Sequence, residues 1–433
     1  MNPQVQVDVV IIGGGPAGTT AAAFLARAGR SVRLFEQQRF PRFQIGESLL
    51  PAGNEILREI GVWEKIEAAG FVHKAGAEFE TGDGSVRVHN IFARGLRRAD
   101  DYTYQVDRAR FDTLMLDHAR EQGAEIFQPE RVQSVTFDDA GATVETADGA
   151  TVRTRFVIDA SGRQRQLARS LELGRDPLPY PSRVALYGHY RGVARREGVE
   201  GGNIVITRWR DGWFWSIPLD AERTSIGLVA PSALLREWQG EKEALMRAVI
   251  ETTPAMRQRM ATAEALGELR VTADYTFIHE RFAGARFALA GDAACFLDPV
   301  FSSGVYLALS SGIEAARLID RALVANGRAL TAREQEHYTR RYKRRVEVMR
   351  GLVDAFYDRK GIEVFMRPTS RLKLFEAVNS VVGGRTEMPW AVRWRFALFR
   401  FIVRQHARRG FVQRLKERNF GAPLPVAPSS LES

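Results

Sequence analysis

The chain has 433 residues, 45% hydrophobic and 26% charged, which is enough for two or three domains with sizeable cores. One cysteine, Cys295, excludes an intrachain disulfide and a thiolate metal cluster, and no metal site is expected. The formal net charge is +10, and no uncharged apolar run approaches the ~18 residues of a membrane span, so no transmembrane segment and a cytoplasmic location are expected.

Residues 7–12 (VDVVII) have the β-branched look of a strand buried on both faces. GGGPAG follows at once, and Gly13, Gly15 and Gly18 fit G-x-G-x-x-G. Gly13 permits the tight turn, Gly15 lets backbone approach a pyrophosphate, and Gly18 allows close helix–sheet contact. The next segment, TTAAAFLARAG, reads as a helix ended by Gly29, and its N-terminal amides suit phosphate. SVRLFE is a second strand, and Glu36, 18 residues after Gly18, is placed to accept hydrogen bonds from a ribose diol. Strand, glycines, helix, strand and acid in this order predict a dinucleotide site. They do not separate FAD from NAD.

Residues 180–230 alternate apolar and polar positions (RVALYGHYRGV, NIVITRWR, GWFWSIPL, TSIGLVA), which predicts an antiparallel sheet. Trp213 and Trp215 share one face of it, since alternate residues of a strand point the same way. Residues 232–262 read as helical, 268–280 as a strand, and the chain after Gly304 as helical almost to Gln413. Basic residues gather at 340–345 and again at 393–418. Such surfaces attract nucleic acid, anionic lipid or acidic protein. No nucleic-acid motif accompanies them, so that partner is not expected. Residues 391–403 (AVRWRFALFRFIV) are expected to pack as a C-terminal helix, with a membrane surface or a docked partner as alternatives.

Two later segments, VIDASGR (157–163, with Asp159 and Gly162) and FALAGD (287–292), resemble FAD-contacting segments of glutathione-reductase-like and hydroxybenzoate-hydroxylase-like flavoproteins. The resemblance extends over residues 5–310 and implies FAD. It places Asp292 on the ribityl chain and Arg108, in YQVDRARFDTLMLDHA (104–119), along the cofactor. The expected fold is α/β. A Rossmann-type FAD-binding domain covers 1–80, 104–175 and 281–325. An inserted antiparallel-sheet substrate domain covers 81–103 and 176–280, and a mostly helical C-terminal region covers 326–433.

Four local sequences further resemble flavin-dependent halogenases of the pyrrole and phenol type. GWFWSIP (212–218) fits W-x-W-x-I-P and puts Trp213 and Trp215 by the flavin and substrate pocket. DPVFSSGV (298–305) resembles the family's halide loop. The likeness assigns Pro299 to the cofactor, Ser302 a catalytic place, Ser303 and Gly304 to halide, and Phe301 to the pocket. GFVHKAGAEF (70–79) puts Lys74 where the family carries the lysine that meets hypohalous acid, with His73 the lesser candidate. A surface lysine is the commoner fate of that residue type. RFQIGESLLP (42–51) resembles the strap along the flavin, with Ile45, Gly46, Glu47 and Ser48 as contacts. Tryptophan halogenases carry a glutamate where this chain has Phe301, so the resemblance points to pyrrole or phenol.

The implied chemistry consumes FADH2, oxygen and chloride or bromide, and passes hypohalous acid through an enclosed interior to Lys74. No second dinucleotide fingerprint is evident, so a separate flavin reductase is the expected source of FADH2. The expected substrate is a small aromatic, free or tethered to an acidic carrier protein. Two other readings stand beside this one. The first is an oxidoreductase without halogenation, either an aromatic monooxygenase or a geranylgeranyl-reductase-like enzyme. The second is a catalytically silent flavoprotein acting as a binding module.

Overall fold

The computed structural model describes residues 5–176, 178, 180–273, 276–425 and 427. The chain divides into two compact units, one of residues 1–70, 107–178 and 276–347, the other of 71–106, 179–275 and 348–433.

The first unit is built on a sheet whose order runs Ala283–Gly284, Phe287–Leu289, Thr151–Asp159, Val5–Ile12, Val32–Phe35, Glu125–Phe127. All neighbours are parallel except the first pair, and a hairpin of Val132–Phe137 and Ala142–Thr146 adds antiparallel strands to Thr151–Asp159. The central strand is Val5–Ile12, and Val9, Val10 and Ile11 are fully buried, as a strand covered on both faces requires. Helix Pro16–Arg27 packs against helices Arg108–Glu121 and Ser303–Val324. Its small residues permit the approach: a Cβ on Gly312 would lie 2.3 Å from the Ala17 carbonyl oxygen.

The second unit holds a sheet in the order Glu264–Ala265, Arg183–Arg191, Thr224–Pro231, Trp213–Pro218, Ile204–Arg208, Gly76–Thr81, Arg87–Ile91. Arg270–Ala273 also pairs with Arg183–Arg191. This sheet is not purely antiparallel as expected, because Ile204–Arg208 runs parallel to Gly76–Thr81. A strand from early in the chain joins the sheet's side, a long-range pairing that local alternation does not reveal. One face packs Phe214, Leu186 and Leu228 on Trp238, Met246 and Val249 of the helical stretch. The other face carries Tyr187, Trp213, Trp215 and Phe79, with Phe356 and Phe365 against it.

The boundaries differ from those expected. Residues 71–80 fold with the second unit, because Gly76–Thr81 is a strand of its sheet. Residues 326–433 are not a region of their own, since 326–347 belong to the first unit and 348–433 to the second. Among the described residues no helix is long and apolar enough to cross a membrane.

Candidate active site

The glycine turn is forced by contact. Gly13 has φ +104°, and a Cβ there would lie 2.3 Å from the Ala160 carbonyl oxygen. A Cβ on Gly18 would lie 1.9 Å from the Gly13 carbonyl oxygen. Glu36, buried at the end of the second strand, accepts hydrogen bonds from the Gly14 amide at 2.8 Å and the Gln38 amide at 2.9 Å. Each carboxylate oxygen keeps lone-pair capacity for a ribose hydroxyl.

Helix Pro16–Arg27 starts at Gly15 with no side chain capping its amides. Arg42 stands close by: its Nη2 would lie 3.7 Å from a Cβ on Gly15, and its guanidinium stacks on Phe40 at 4.5 Å. Burial lowers the Arg42 pKa, with Asp112 and Glu36 pulling it back up. Open helix amides, a cation beside them and a buried carboxylate at the end of the second strand fit the pyrophosphate and ribose of a dinucleotide.

Arg108 organises the strap. It forms a fork with Asp112, Nε to Oδ1 at 2.8 Å and Nη2 to Oδ2 at 2.9 Å. Its Nη1 donates to the carbonyl oxygens of Ile45 at 2.6 Å and Gly46 at 3.3 Å. Gly46 has φ +100°, and a Cβ would sit 3.0 Å from Arg108 Nη1, so glycine is required there. Glu47 and Ser48 are buried beside it. Burial works against the Arg108 charge, but Asp112, Asp292 and Glu47 outweigh it and hold the pKa above the usual arginine value. Desolvation of the partly buried Asp292 carboxyl raises its pKa to about 6 against the pull of Arg108 and Arg163.

Asp159 is fully buried at the end of its strand and accepts from the Ser161 amide at 2.9 Å and the Leu167 amide at 2.8 Å. These partners give it a turn-shaping role. Gly162, with φ +63°, follows in that turn.

The halide-loop residues form a short turn, Pro299–Phe301, capped by Asp298, whose carboxylate accepts from the Val300 amide at 3.0 Å. Ser302 is left-handed, with φ 55°, and ends the turn by donating its amide to the Pro299 carbonyl oxygen at 2.9 Å. Ser303 and Gly304 then open the 22-residue helix Ser303–Val324. Their amides lie at the positive end of a long helix, where backbone N–H groups can hold an anion. A Cβ on Gly304 would meet no atom within 4 Å, so the space beside its α-carbon is open. Phe301 is buried.

Lys74, Trp213 and Trp215 belong to the second unit. Lys74 ends strand Val72–Lys74, opposite Thr103. It is no surface lysine, with 1% of its area exposed. Its Nζ lies 5.3 Å from the centroid of the Phe92 ring, and burial lowers its pKa to about 7. Its neighbour His73 stacks on Tyr102 at 4.7 Å. Trp213 donates its indole N–H to the Tyr357 hydroxyl at 2.7 Å, and Trp215 donates to Ser225 Oγ at 3.1 Å. Both indoles share one sheet face, and a Cβ on Gly227 would strike the Trp215 ring at 2.1 Å, so that glycine makes room for it.

Arg42 and Asp112 escaped the sequence reading. Asp112 follows Arg108 by four residues on one helix, a visible signal. Arg42 carried no such local mark.

The FAD binding domain model matches residues 6–351. The chain is 34% identical over 331 residues to the 1H-pyrrole-2-carbonyl-[peptidyl-carrier protein] chlorinase of Pseudomonas fluorescens, spanning 70% of this chain and 73% of the relative. The chain belongs to the flavin-dependent halogenase family. A member named tryptophan 2-halogenase, from Chondromyces crocatus, is 32% identical over 359 residues, covering 81% of this chain and 67% of that protein. Among solved structures, a triple mutant of the flavin-dependent brominase Bmp2 superposes with a TM-score of 0.81 at 30% identity, over 93% of this chain and all of that one. A flavoprotein/dehydrogenase from Cytophaga hutchinsonii gives a TM-score of 0.83 at 30% identity, with 93% of this chain and 100% of that one covered. As a halogenase-family flavoprotein the chain is an FAD-dependent enzyme that uses halide. The residues assembled around the glycine turn fit that cofactor.

Proposed function

We propose that this enzyme chlorinates or brominates an electron-rich ring, with pyrrole carried as an acyl group on a carrier protein the first choice and a free phenol the second. A separate reductase supplies reduced flavin, and the enzyme works in the cytoplasm. The observation that carries this reading is Lys74, a buried amine poised near neutrality against the Phe92 ring. Bound reduced FAD supplies the electrons with which oxygen and halide yield hypohalous acid. Arg108 and the strap orient the cofactor, and Glu36 and Arg42 hold its ribose and phosphates. The amides of Ser303 and Gly304 bind halide, with Ser302 shaping the turn before them. Lys74 engages hypohalous acid, either as an ammonium donating a hydrogen bond or as an amine accepting halogen. Trp213 and Trp215 form a rigid aromatic wall for the ring.

Phe301 in the halide loop, where tryptophan halogenases carry glutamate, supports pyrrole or phenol over free tryptophan. The relatives that act on carrier-bound pyrrole support the tethered form. The similar protein named a dehydrogenase supports a second reading, redox chemistry on the substrate without halogen. Turnover of carrier-bound pyrrole and of phenols with and without bromide separates them. A product that forms only with bromide fits the first reading, and an equal yield of a halogen-free product without bromide sinks it.

A further inference from the structure

The two basic clusters are built differently. In the first, Arg340 pairs with Glu336 at 2.9 Å, Arg341 with Glu314 at 3.0 Å and Lys343 with Asp176 at 2.7 Å, and Arg345 also reaches Glu314. Four of its five cations are thus paired with carboxylates of the first unit, and the exposed Arg344 has no ion pair among the described residues.

The second cluster centres on the 20-residue helix Trp390–Arg409, whose sequence contains no Asp or Glu. Val392, Phe396, Phe399 and His406 bury one face. Arg393, Arg400 and Arg404 stand on the exposed side, and among the described residues none of the three has an ion pair. Trp390 and Phe401 stand with them, 70% and 50% exposed. An isolated exposed arginine needs no explanation. Three unpaired arginines with two exposed aromatic rings on one face match the composition of a protein-binding surface, where Arg, Trp and Phe are enriched.

We infer that this face docks an acidic carrier protein, an inference that rests on the carrier-bound pyrrole reading above. Arg393 and Arg404 are eleven residue steps apart, about 16 Å along the axis, enough to face acidic side chains along one partner helix. Trp390 and Phe401 offer apolar anchors near either end of that row. The exposed positions Trp390, Arg393, Ala397, Arg400, Phe401 and Arg404 intersperse rings and charges. A lipid surface favours a continuous apolar stripe instead.

The test uses the full-length FAD-loaded enzyme, an acidic peptidyl carrier protein bearing pyrrole-2-carboxyl thioester, and the same acyl group as a small free thioester. In the variant Arg393→Glu/Arg400→Glu/Arg404→Glu, the KM for the loaded carrier rises at least ~10-fold with kcat kept, and its salt dependence flattens. The KM for the free thioester stays constant. Triple replacement by Gln gives the same direction with a smaller rise, and serves if charge reversal disturbs folding. Unchanged carrier KM and salt slope overturn the docking face while leaving the carrier reading intact. If wild type halogenates the free thioester and ignores the carrier, the carrier reading fails and the docking face with it. If wild type halogenates neither, fluorescence anisotropy of labelled carrier decides: binding lost in the variant sustains the face, and no binding to wild type overturns it. Co-sedimentation of wild type, and not the variant, with phosphatidylserine vesicles would reassign the face to lipid.

Discussion

Arg108 and Lys74 are both buried cations, and the protein treats them in opposite ways. Arg108 lies in the first unit, forked onto Asp112 and bonded to two strap carbonyls, and its neighbours hold its charge. Lys74 lies in the second unit, where burial brings its pKa to about 7. Charge compensation marks a positioning residue, while a desolvated amine near neutrality marks a group able to take part in proton or halogen chemistry.

The contrast breaks most visibly at Arg108. Arg108→Leu removes the fork on the buried Asp112 carboxylate, leaving it only Arg42 at 3.4 Å, and frees the strap, so chemical denaturation is expected to show a loss of up to ~3–5 kcal/mol. The purified variant also loses flavin absorbance on gel filtration. Retained flavin and unchanged stability would remove Arg108 from the organising role.

Lys74→Met is expected to abolish halogenation and to remove the pH dependence of stability that the buried amine brings. The sign follows from linkage. Between the folded pKa of about 7 and the ordinary lysine value of 10.5, the unfolded chain binds the proton that the folded chain has lost. Wild-type stability therefore gains a rising contribution with pH across that window, and the methionine variant lacks it. Denaturation curves at several pH values read the difference directly. A steeper rise in the variant would contradict the assignment.

The same value sorts the two roles open to Lys74. If the ammonium donates a hydrogen bond, kcat falls as pH rises through about 7, roughly tenfold per unit well above it; if the neutral amine reacts, kcat rises there instead. Lys74→Arg keeps a cation that does not titrate in this range, so it removes that limb of the profile in the first case and abolishes turnover in the second.

Phe92 offers the smallest and sharpest adjustment. Its ring faces the Lys74 ammonium at 5.3 Å, an attraction of ~0.5–2 kcal/mol in a desolvated setting. Phe92→Leu is expected to move the lysine limb to lower pH by ~0.4–1.5 units. An unmoved limb would show that the ring serves only packing.

The two regions were not equally legible in the sequence. The strand, glycines, helix and acid of residues 7–36 form a local pattern with a mechanical reason for each part, and the structure repeats it in order. The strap and Arg108 were legible through resemblance, but Arg42 and Asp112 acquire their roles from contacts made across the fold. Lys74 showed its identity in the sequence and not its burial, since a three-residue strand paired with Thr103–Gln105 has little pattern to read. The parallel pairing of Gly76–Thr81 with Ile204–Arg208 joins segments over a hundred residues apart, beyond any local periodicity. The charge clusters looked alike in composition, and only the positions of Glu314, Glu336 and Asp176 separate the internally paired one from the exposed one.

The most direct test of the halogenase assignment is the product mass formed from pyrrole-loaded carrier protein and a panel of phenols. The reaction needs purified enzyme, FAD, a flavin reductase, NADH, oxygen and bromide. The account predicts a product with the bromine isotope doublet that is absent with Lys74→Ala. A product gaining one oxygen, or two hydrogens, with no bromine would contradict it and place the enzyme among flavin oxidoreductases that do not halogenate.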